Sequence, residues 1–341
     1  MKKIQTAIVG YGKSAKVFHL PYLNSISNFE IKAFVSSQES NIKKNFPSSS
    51  IYSSLEELCL DSNIELVVLC SPTFLHYDQA KILLEANKHL VIEKPFTVTV
   101  KEAEELVKIA QERNLKLSVY HNRRWDSPFL TLKQLIKEGK LGDIHHYEVH
   151  YDRWRPNVQE RWREKNIQGS GILYDLGSHV IDQVLDLFGQ PKDIIQDIEC
   201  QRIGSETIDY FHLIFKYEKM RAILHASSLV QAPRDHLVVH GSKASFIHEL
   251  MDPQEAQLML GKSPSAIKKQ ETAKIFFKKG DSVIEETIST ISGGYEEFYL
   301  QMAKSISTNE EVPINPIDVI ENIRIIEKLS NKVSNFTHAS S

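Results

Sequence analysis

Short apolar runs recur along the first third of the chain, each followed by a stretch in which apolar residues return every three or four positions. Thr6-Ala7-Ile8-Val9, Ile31-Lys32-Ala33-Phe34-Val35, Leu66-Val67-Val68-Leu69-Cys70, His89-Leu90-Val91-Ile92 and Leu115-Lys116-Leu117-Ser118-Val119 read as strands. The fully apolar ones need burial on both faces. Between them, Val17, Leu20 and Leu23, residues 77 to 87, and the segment from Thr99 to Asn114 carry helical spacing. Ser54-Leu55-Glu56-Glu57 and Thr99-Val100-Lys101-Glu102 have the spacing of a capping box. Five strands alternating with helices predict a doubly wound parallel sheet over residues 1–121.

The style changes after residue 121. Ser127-Pro128 has the chemistry of a helix start, and that helix ends near Gly139. Ile144–Tyr151, Thr207–Lys216, Met220–Leu229, His236–His240 and Ala244–His248 then read as short strands in succession. Such a run predicts an open, mostly antiparallel sheet and an α+β domain over residues 122–341. One strong helix interrupts it: Leu173, Leu176, Val180, Val184 and Leu187 form an apolar stripe, and Asp175, His179, Asp182 and Asp186 a polar one. Residues 251–272 read as an irregular connection, Tyr295–Ile306 and Pro316 to about Val333 as helices, and the polar tail after them as frayed.

Length and charge narrow the classes. A chain of 341 residues is long enough for two cores. A net charge of −3 supplies no basic field for nucleic acid or an anionic membrane. The N-terminal apolar run is broken too early for a signal peptide or a membrane span, so it reads as a first strand. Cys59, Cys70 and Cys200 form no close pair, which argues against a disulfide framework and a metal site and for a reducing, cytoplasmic setting.

Candidate chemistry collects where strands end. Gly10-Tyr11-Gly12-Lys13-Ser14-Ala15 joins the first strand to a helical stretch, a Gly-x-Gly-x-x-Ala turn that either is merely tight or lets the backbone meet a pyrophosphate. The strand and helix on either side favour a dinucleotide and a Rossmann domain. The second strand exits into Ser36-Ser37-Gln38 without a carboxylate, and Lys43 or Lys44 lies a helical turn or so on. That favours NADP; Glu39 is the feature that would serve NAD instead. Ser71, Thr73 and His76 follow the central strand and are candidate cofactor contacts, although a local hydrogen bond explains His76 as well. Glu93-Lys94-Pro95 ends the fourth strand. It is either a solvated turn or a lysine set at the ligand-binding edge of the sheet, with Glu93 beside the cofactor and the proline fixing the turn. Asn122 and Arg123 leave the fifth strand on that edge and are candidates for cofactor and substrate contact. In the second domain Asp175 and His179 are one turn apart; they are either part of a wet helix face or a reactive pair. Gly177, costly inside a helix, signals a close approach to the backbone. Arg153, Trp154, Arg155, Arg161, Trp162 and Arg163 are either a surface loop packed by its aromatics or the wall of a polar substrate pocket, with Trp154 as the candidate contact.

The glycine turn, Ser-Pro-Thr-x-x-His at residues 71–76, Glu93-Lys94-Pro95, Asn122-Arg123-Arg124-Trp125-Asp126, and Gly-x-x-x-Asp-x-Gly-x-His-x-x-Asp from Gly171 together resemble the glucose-fructose oxidoreductase/inositol dehydrogenase (Gfo/Idh/MocA) family. The resemblance runs in order along nearly the whole chain. It implies a Rossmann domain, an α+β domain with an open sheet, homodimers or homotetramers through that sheet, and a catalytic lysine, aspartate and histidine falling on Lys94, Asp175 and His179. Similarity to the NADP-dependent scyllo-inositol dehydrogenase branch implies reversible oxidation of a secondary alcohol on a polyol, inositol or sugar. The imidazole of His179 then takes the hydroxyl proton, Lys94 stabilises the developing alkoxide, and Asp175 holds substrate or histidine. Two other readings stay open: an NADP-binding sugar sensor without turnover, and a reductase of a dihydrodiol, imine or biliverdin-like compound.

Overall fold

The structure, a computed structural model, describes residues 2–232 and 234–337, except the side chains of 332–337. The end of the polar tail, from residue 338, lies outside the described residues. Two compact units emerge: residues 1–122 with 255–267 and 295–324, and residues 123–254 with 268–294 and 325–341. The main segment of the first unit ends at Asn122, one residue past the expected 121/122 cut, and two later segments also belong with that unit.

The first unit is a parallel sheet of six strands. They are β1 (Ile4–Val9), β2 (Phe29–Val35), β3 (Ser50–Tyr52), β4 (Leu66–Leu69), β5 (His89–Ile92) and β6 (Leu117–Val119), in the order β3-β2-β1-β4-β5-β6. Every residue of β4 is buried, as its unbroken apolar sequence requires. A π-helical turn, Ala15–His19, runs into α1 (Leu20–Ser25). Then come α2 (Glu39–Asn45), α3 (Leu55–Leu60), α4 (His76–Glu85) and α5 (Val100–Glu112). The box at Thr99 forms in full: its hydroxyl accepts from the Glu102 N–H and Glu102 reaches back to the Thr99 N–H. The strand β3 goes beyond the five expected. Its three residues, Ser-Ile-Tyr, contain no apolar run and are held by pairing with β2. Beside β6, Ser118 Oγ donates to the Ile314 carbonyl at 2.9 Å and accepts the Ile314 N–H, which ties the returning C-terminal segment to the sheet.

The second unit is a sheet of eight strands. These are β7 (Ile144–His150), β8 (Asp193–Glu199), β9 (Tyr210–Lys216), β10 (Arg221–Ser227), β11 (Leu237–Gly241), β12 (Ala244–His248), β13 (Thr272–Lys279) and β14 (Ser282–Ser289). The order is β14-β13-β12-β11-β7-β10-β9-β8, antiparallel except for the β7/β10 pair. Alternation splits the sheet into two faces: Tyr147, Val149, Phe211, Leu213, Ala222 and Leu224 are buried, whereas Ile195, half exposed, lies on the other side with Ile214 and Ile223. The helices α6 (Ser127–Lys137) and α7 (Ser178–Phe188) belong to this unit. Asp126 rather than Ser127 occupies the N-cap position of α6. The segment read as irregular, 251–272, contains a short helix, Gln254–Met259. Among the described residues no helix is long and apolar enough to cross a membrane.

Candidate active site

In the first unit the strand order reverses between β1 and β4, and ligands of such sheets bind outside the carboxyl ends at that point. Gly10 leaves β1 with φ +87°, and a Cβ there would press on the Cys70 carbonyl oxygen at 3.2 Å, so the turn needs glycine. A Cβ on Gly12 would meet nothing within 4 Å. Next to Gly10, the buried Ser71 hydroxyl has no hydrogen-bond partner. An open approach to the backbone at a helix start, with an unsatisfied hydroxyl beside it, fits a dinucleotide pyrophosphate held by Gly10, Gly12, Lys13 and Ser71.

Ser14, Ala15 and Glu93 contribute differently from the expectation. Ala15 is buried, and the Ser14 hydroxyl donates to Glu93. The other partners of Glu93 are the buried His19 ring, at 2.8 Å through Nε2, and the Lys94 N–H at 3.1 Å. His19 Nδ1 in turn meets the Tyr299 hydroxyl. Glu93 therefore ties the glycine-turn helix to the end of β5 and spends its carboxylate on protein groups. Burial by itself would raise its pKa, but the His19 contact, then Ser14 and Lys94, outweigh burial and hold it at about 2. Its stabilising contribution is complete above the ordinary carboxyl value of 4.5 and disappears as pH falls through about 2. The stability gap between the wild type and Glu93→Gln, read by urea unfolding, is thus expected to narrow as pH falls from 4.5 toward 2. A gap independent of pH would show that the carboxylate is not held in this way.

The strand β2 ends at Val35, so Ser36 is the first residue past it and Glu39 opens α2 with an exposed side chain. Lys43 does not reach back: its ammonium donates to the carbonyls of Ser49 at 2.8 Å and Pro47 at 3.4 Å. Thr73 is buried in a 3-10 turn, Thr73–Leu75. His76 is buried with Nε2 3.0 Å from the Ser71 carbonyl and Nδ1 2.9 Å from that of Pro95. Burial lowers its pKa, against the raising effect of the Ser71, Pro95 and Phe96 carbonyls; a neutral ring donates to only one of these carbonyls, and the side chain lies between the loops after β4 and β5. Lys94 is half-buried at the end of β5, the Lys94–Pro95 peptide is cis, and Asn122 is buried beyond β6.

The second unit contributes one helical run. Gly169 and Gly171 adopt φ +78° and +80°, and a Cβ on Gly171 would stand 3.0 Å from the Ile208 carbonyl oxygen. A π-helical turn, Leu173–Gly177, then passes into α7. From Leu173 to Val184 every residue except Asp175 is buried, so the polar stripe is not a wet face. Its far half is satisfied by a cation: Arg124 makes two 2.8 Å hydrogen bonds to Asp182 and a third, at 3.2 Å, to Asp186. Its near half holds Asp175, 3.5 Å from Arg163, and the buried His179. The close approach signalled by Gly177 is core packing, since a Cβ there would meet Leu173 Cδ1 at 3.1 Å and Phe211 Cε1 at 3.7 Å. Arg123 is buried, 3.4 Å from Asp126 and stacked over Tyr151. Trp154 is 52% exposed and bridges Leu229 through its backbone, while its neighbours Arg153 and Arg155 line a pocket with Asp175.

A nucleotide-binding parallel sheet and a second, mostly antiparallel unit with a buried acid–imidazole helix define an oxidoreductase of two-domain design. Residues 4–121 match the oxidoreductase family's NAD-binding Rossmann fold, and residues 133–337 its C-terminal alpha/beta domain. The chain belongs to the Gfo/Idh/MocA oxidoreductase family. It is 43% identical to the NADP(+)-dependent scyllo-inositol 2-dehydrogenase IolW of Bacillus subtilis, over 95% of this chain and 92% of the relative. It is 38% identical to the Escherichia coli oxidoreductase YdgJ, over 95% and 94%. The solved structure of the Bacillus subtilis oxidoreductase YvaA superposes with a TM-score of 0.93 at 42% identity, covering 97% of each chain.

Proposed function

We propose that this dehydrogenase prefers NADP and oxidises a secondary alcohol of a polyol, inositol or sugar, with Lys94, Asp175 and His179 as one catalytic set. The observation that carries the reading is the division of labour on the helix from Gly171: Arg124 takes up Asp182 and Asp186, while Asp175 and His179 lie on the preceding turn. The bound nicotinamide supplies the hydride acceptor. The imidazole of His179 takes the proton from the reacting hydroxyl, and the Lys94 ammonium stabilises the charge that develops on that oxygen. Asp175 orients the hydroxyl or the imidazole. The relative IolW carries the same cofactor preference in its name.

The preference for NADP rests on Ser36 and Ser37 following β2 with Glu39 already inside α2. Ser36→Asp is expected to lower kcat/KM for NADP relative to NAD by at least about tenfold, because a carboxylate would face the 2′-phosphate. An unchanged ratio would move phosphate recognition elsewhere. Cofactor reduction assayed across polyols, inositols, aldoses and dihydrodiols, separately with NAD and NADP, tests the function itself. Reduction with none of them would leave the sugar-sensing reading. Assembly is proposed to be homo-oligomeric through the sheet face that carries Ile195, Ile214 and Ile223, and the setting cytoplasmic.

A further inference from the structure

The buried face of β7, with Tyr147, Val149 and Tyr151, continues past the strand end to Arg153 and Arg155, whose N–H groups bond the carbonyls of Ser227 and Ser228. Both arginines line a pocket with Arg161, Arg163, Gly171 and Asp175, at the start of the helical run that holds His179. Arg202 lines the same pocket, which makes five guanidiniums. Two carboxylates line the pocket, Glu164 and Asp175, a third, Asp209, pairs with Arg202, and each is already engaged. Arg161 Nε bonds Glu164 at 2.9 Å, Arg202 bonds Glu164 at 3.1 Å and Asp209 at 2.9 Å, and Arg163 stands 3.5 Å from Asp175. Two positive charges remain. Among the described residues no carboxylate lies within ion-pairing distance of Arg153 or Arg155. Burial, then the neighbouring Arg153 and Arg161, push the Arg155 pKa below the usual arginine range, and the nearby Asp175 and Glu164 offset this only in part. The pocket volume is about 20 Å³, room for about one water-sized group.

We propose that this pocket is an acid-recognition subsite: the substrate carries a carboxylate, held by Arg153 and Arg155, in addition to the secondary alcohol that is oxidised. The substrate class is then a sugar acid or other polyhydroxy acid. The proposal rests on the reading above, in which Asp175 lies next to the reacting alcohol, and narrows it. Paired planar guanidiniums match the two oxygens of a carboxylate.

Glucose and glucuronate differ only at C6, so their binding to the full-length protein saturated with NADPH, followed by calorimetry, reads the subsite without requiring turnover. Glucuronate is expected to bind at least about tenfold more tightly than glucose, with the advantage shrinking as salt rises and lost in Arg155→Met and Arg153→Met. Retention of part of the advantage in Arg155→Lys, with its charge kept, would support the same contact. Equal affinity for the two sugars, or no binding of glucuronate, overturns the proposal. Tighter binding of glucose 6-phosphate than of glucuronate overturns the carboxylate assignment. A protein that prefers glucuronate yet reduces no cofactor would keep the subsite and sink the dehydrogenase reading.

Discussion

Replacing Lys94 by methionine is expected to cut kcat by about 10²–10³ while leaving NADP affinity within a few-fold of the wild type. Methionine keeps the length and the apolar stem but removes the ammonium, so negative charge growing on the substrate oxygen meets no fixed positive partner. On the proposed reading the pyrophosphate would be held at the Gly10–Gly12 turn and Ser71, and Glu93 accepts the backbone N–H of Lys94, which methionine keeps. His179→Ala is expected to lose about 10²–10⁴ by a different route, through loss of the proton acceptor. The two can be separated by pH: removing the base abolishes the acidic limb of the kcat/KM profile, whereas removing the lysine leaves that limb in place. Steady-state turnover with NADP, and fluorescence titration of NADPH, check both. Unchanged turnover in either variant with intact cofactor binding would sink the catalytic assignment.

Arg202→Met is expected to destabilise the second unit by about 3 kcal/mol, toward the low end for breaking a buried ion network. The guanidinium lies between Glu164 and Asp209, and the three side chains are 2%, 5% and 0% exposed. Removing it leaves two carboxylates in a place where water does not replace it. The cost stays near the low end because Asp209 keeps the N–H groups of Gln201 and Arg202, and Glu164 keeps Arg161. Urea unfolding of the variant gives the magnitude. Adding Glu164→Gln and Asp209→Asn should return part of the loss, since neutral partners need no cation. A loss below about 1 kcal/mol would mean that the carboxylates reach solvent.

Local signals were legible in the sequence. The glycine turn, the capping box at Thr99 and the apolar runs of β1, β4 and β5 each depend on residues within a few positions of one another, and each formed. Three strands of the second sheet were not seen: β8 reads Asp-Ile-Ile-Gln-Asp-Ile-Glu, and β13 and β14 are interrupted by lysines and glutamates. Their pairing in the sheet supplies what their composition lacks. The side chains proposed to act, and those that support them, divide in the same way. Lys94, Asp175 and His179 stood out through strand-end and one-turn spacing. His19 did not, because its partners Glu93 and Tyr299 lie 74 and 280 positions away. Arg202 is likewise 38 positions from Glu164. Alternation past β7 carried the remaining information: it turns Arg153 and Arg155 into the pocket and leaves Trp154 exposed, but it becomes readable only once the strand's buried face is known.

The carboxylate of Glu93 holds the Ser14 hydroxyl with one oxygen and the Lys94 N–H with the other. A ligand that stiffens the glycine turn therefore also narrows the range of the backbone carrying Lys94. Coupling free energies are reciprocal: whatever factor an occupied glycine turn adds to the affinity for an alcohol at Lys94, that alcohol returns to the first ligand. Binding of the two is then expected to be cooperative, and NADPH titrations with and without the alcohol should show Glu93→Gln reducing that cooperativity more than either affinity measured alone.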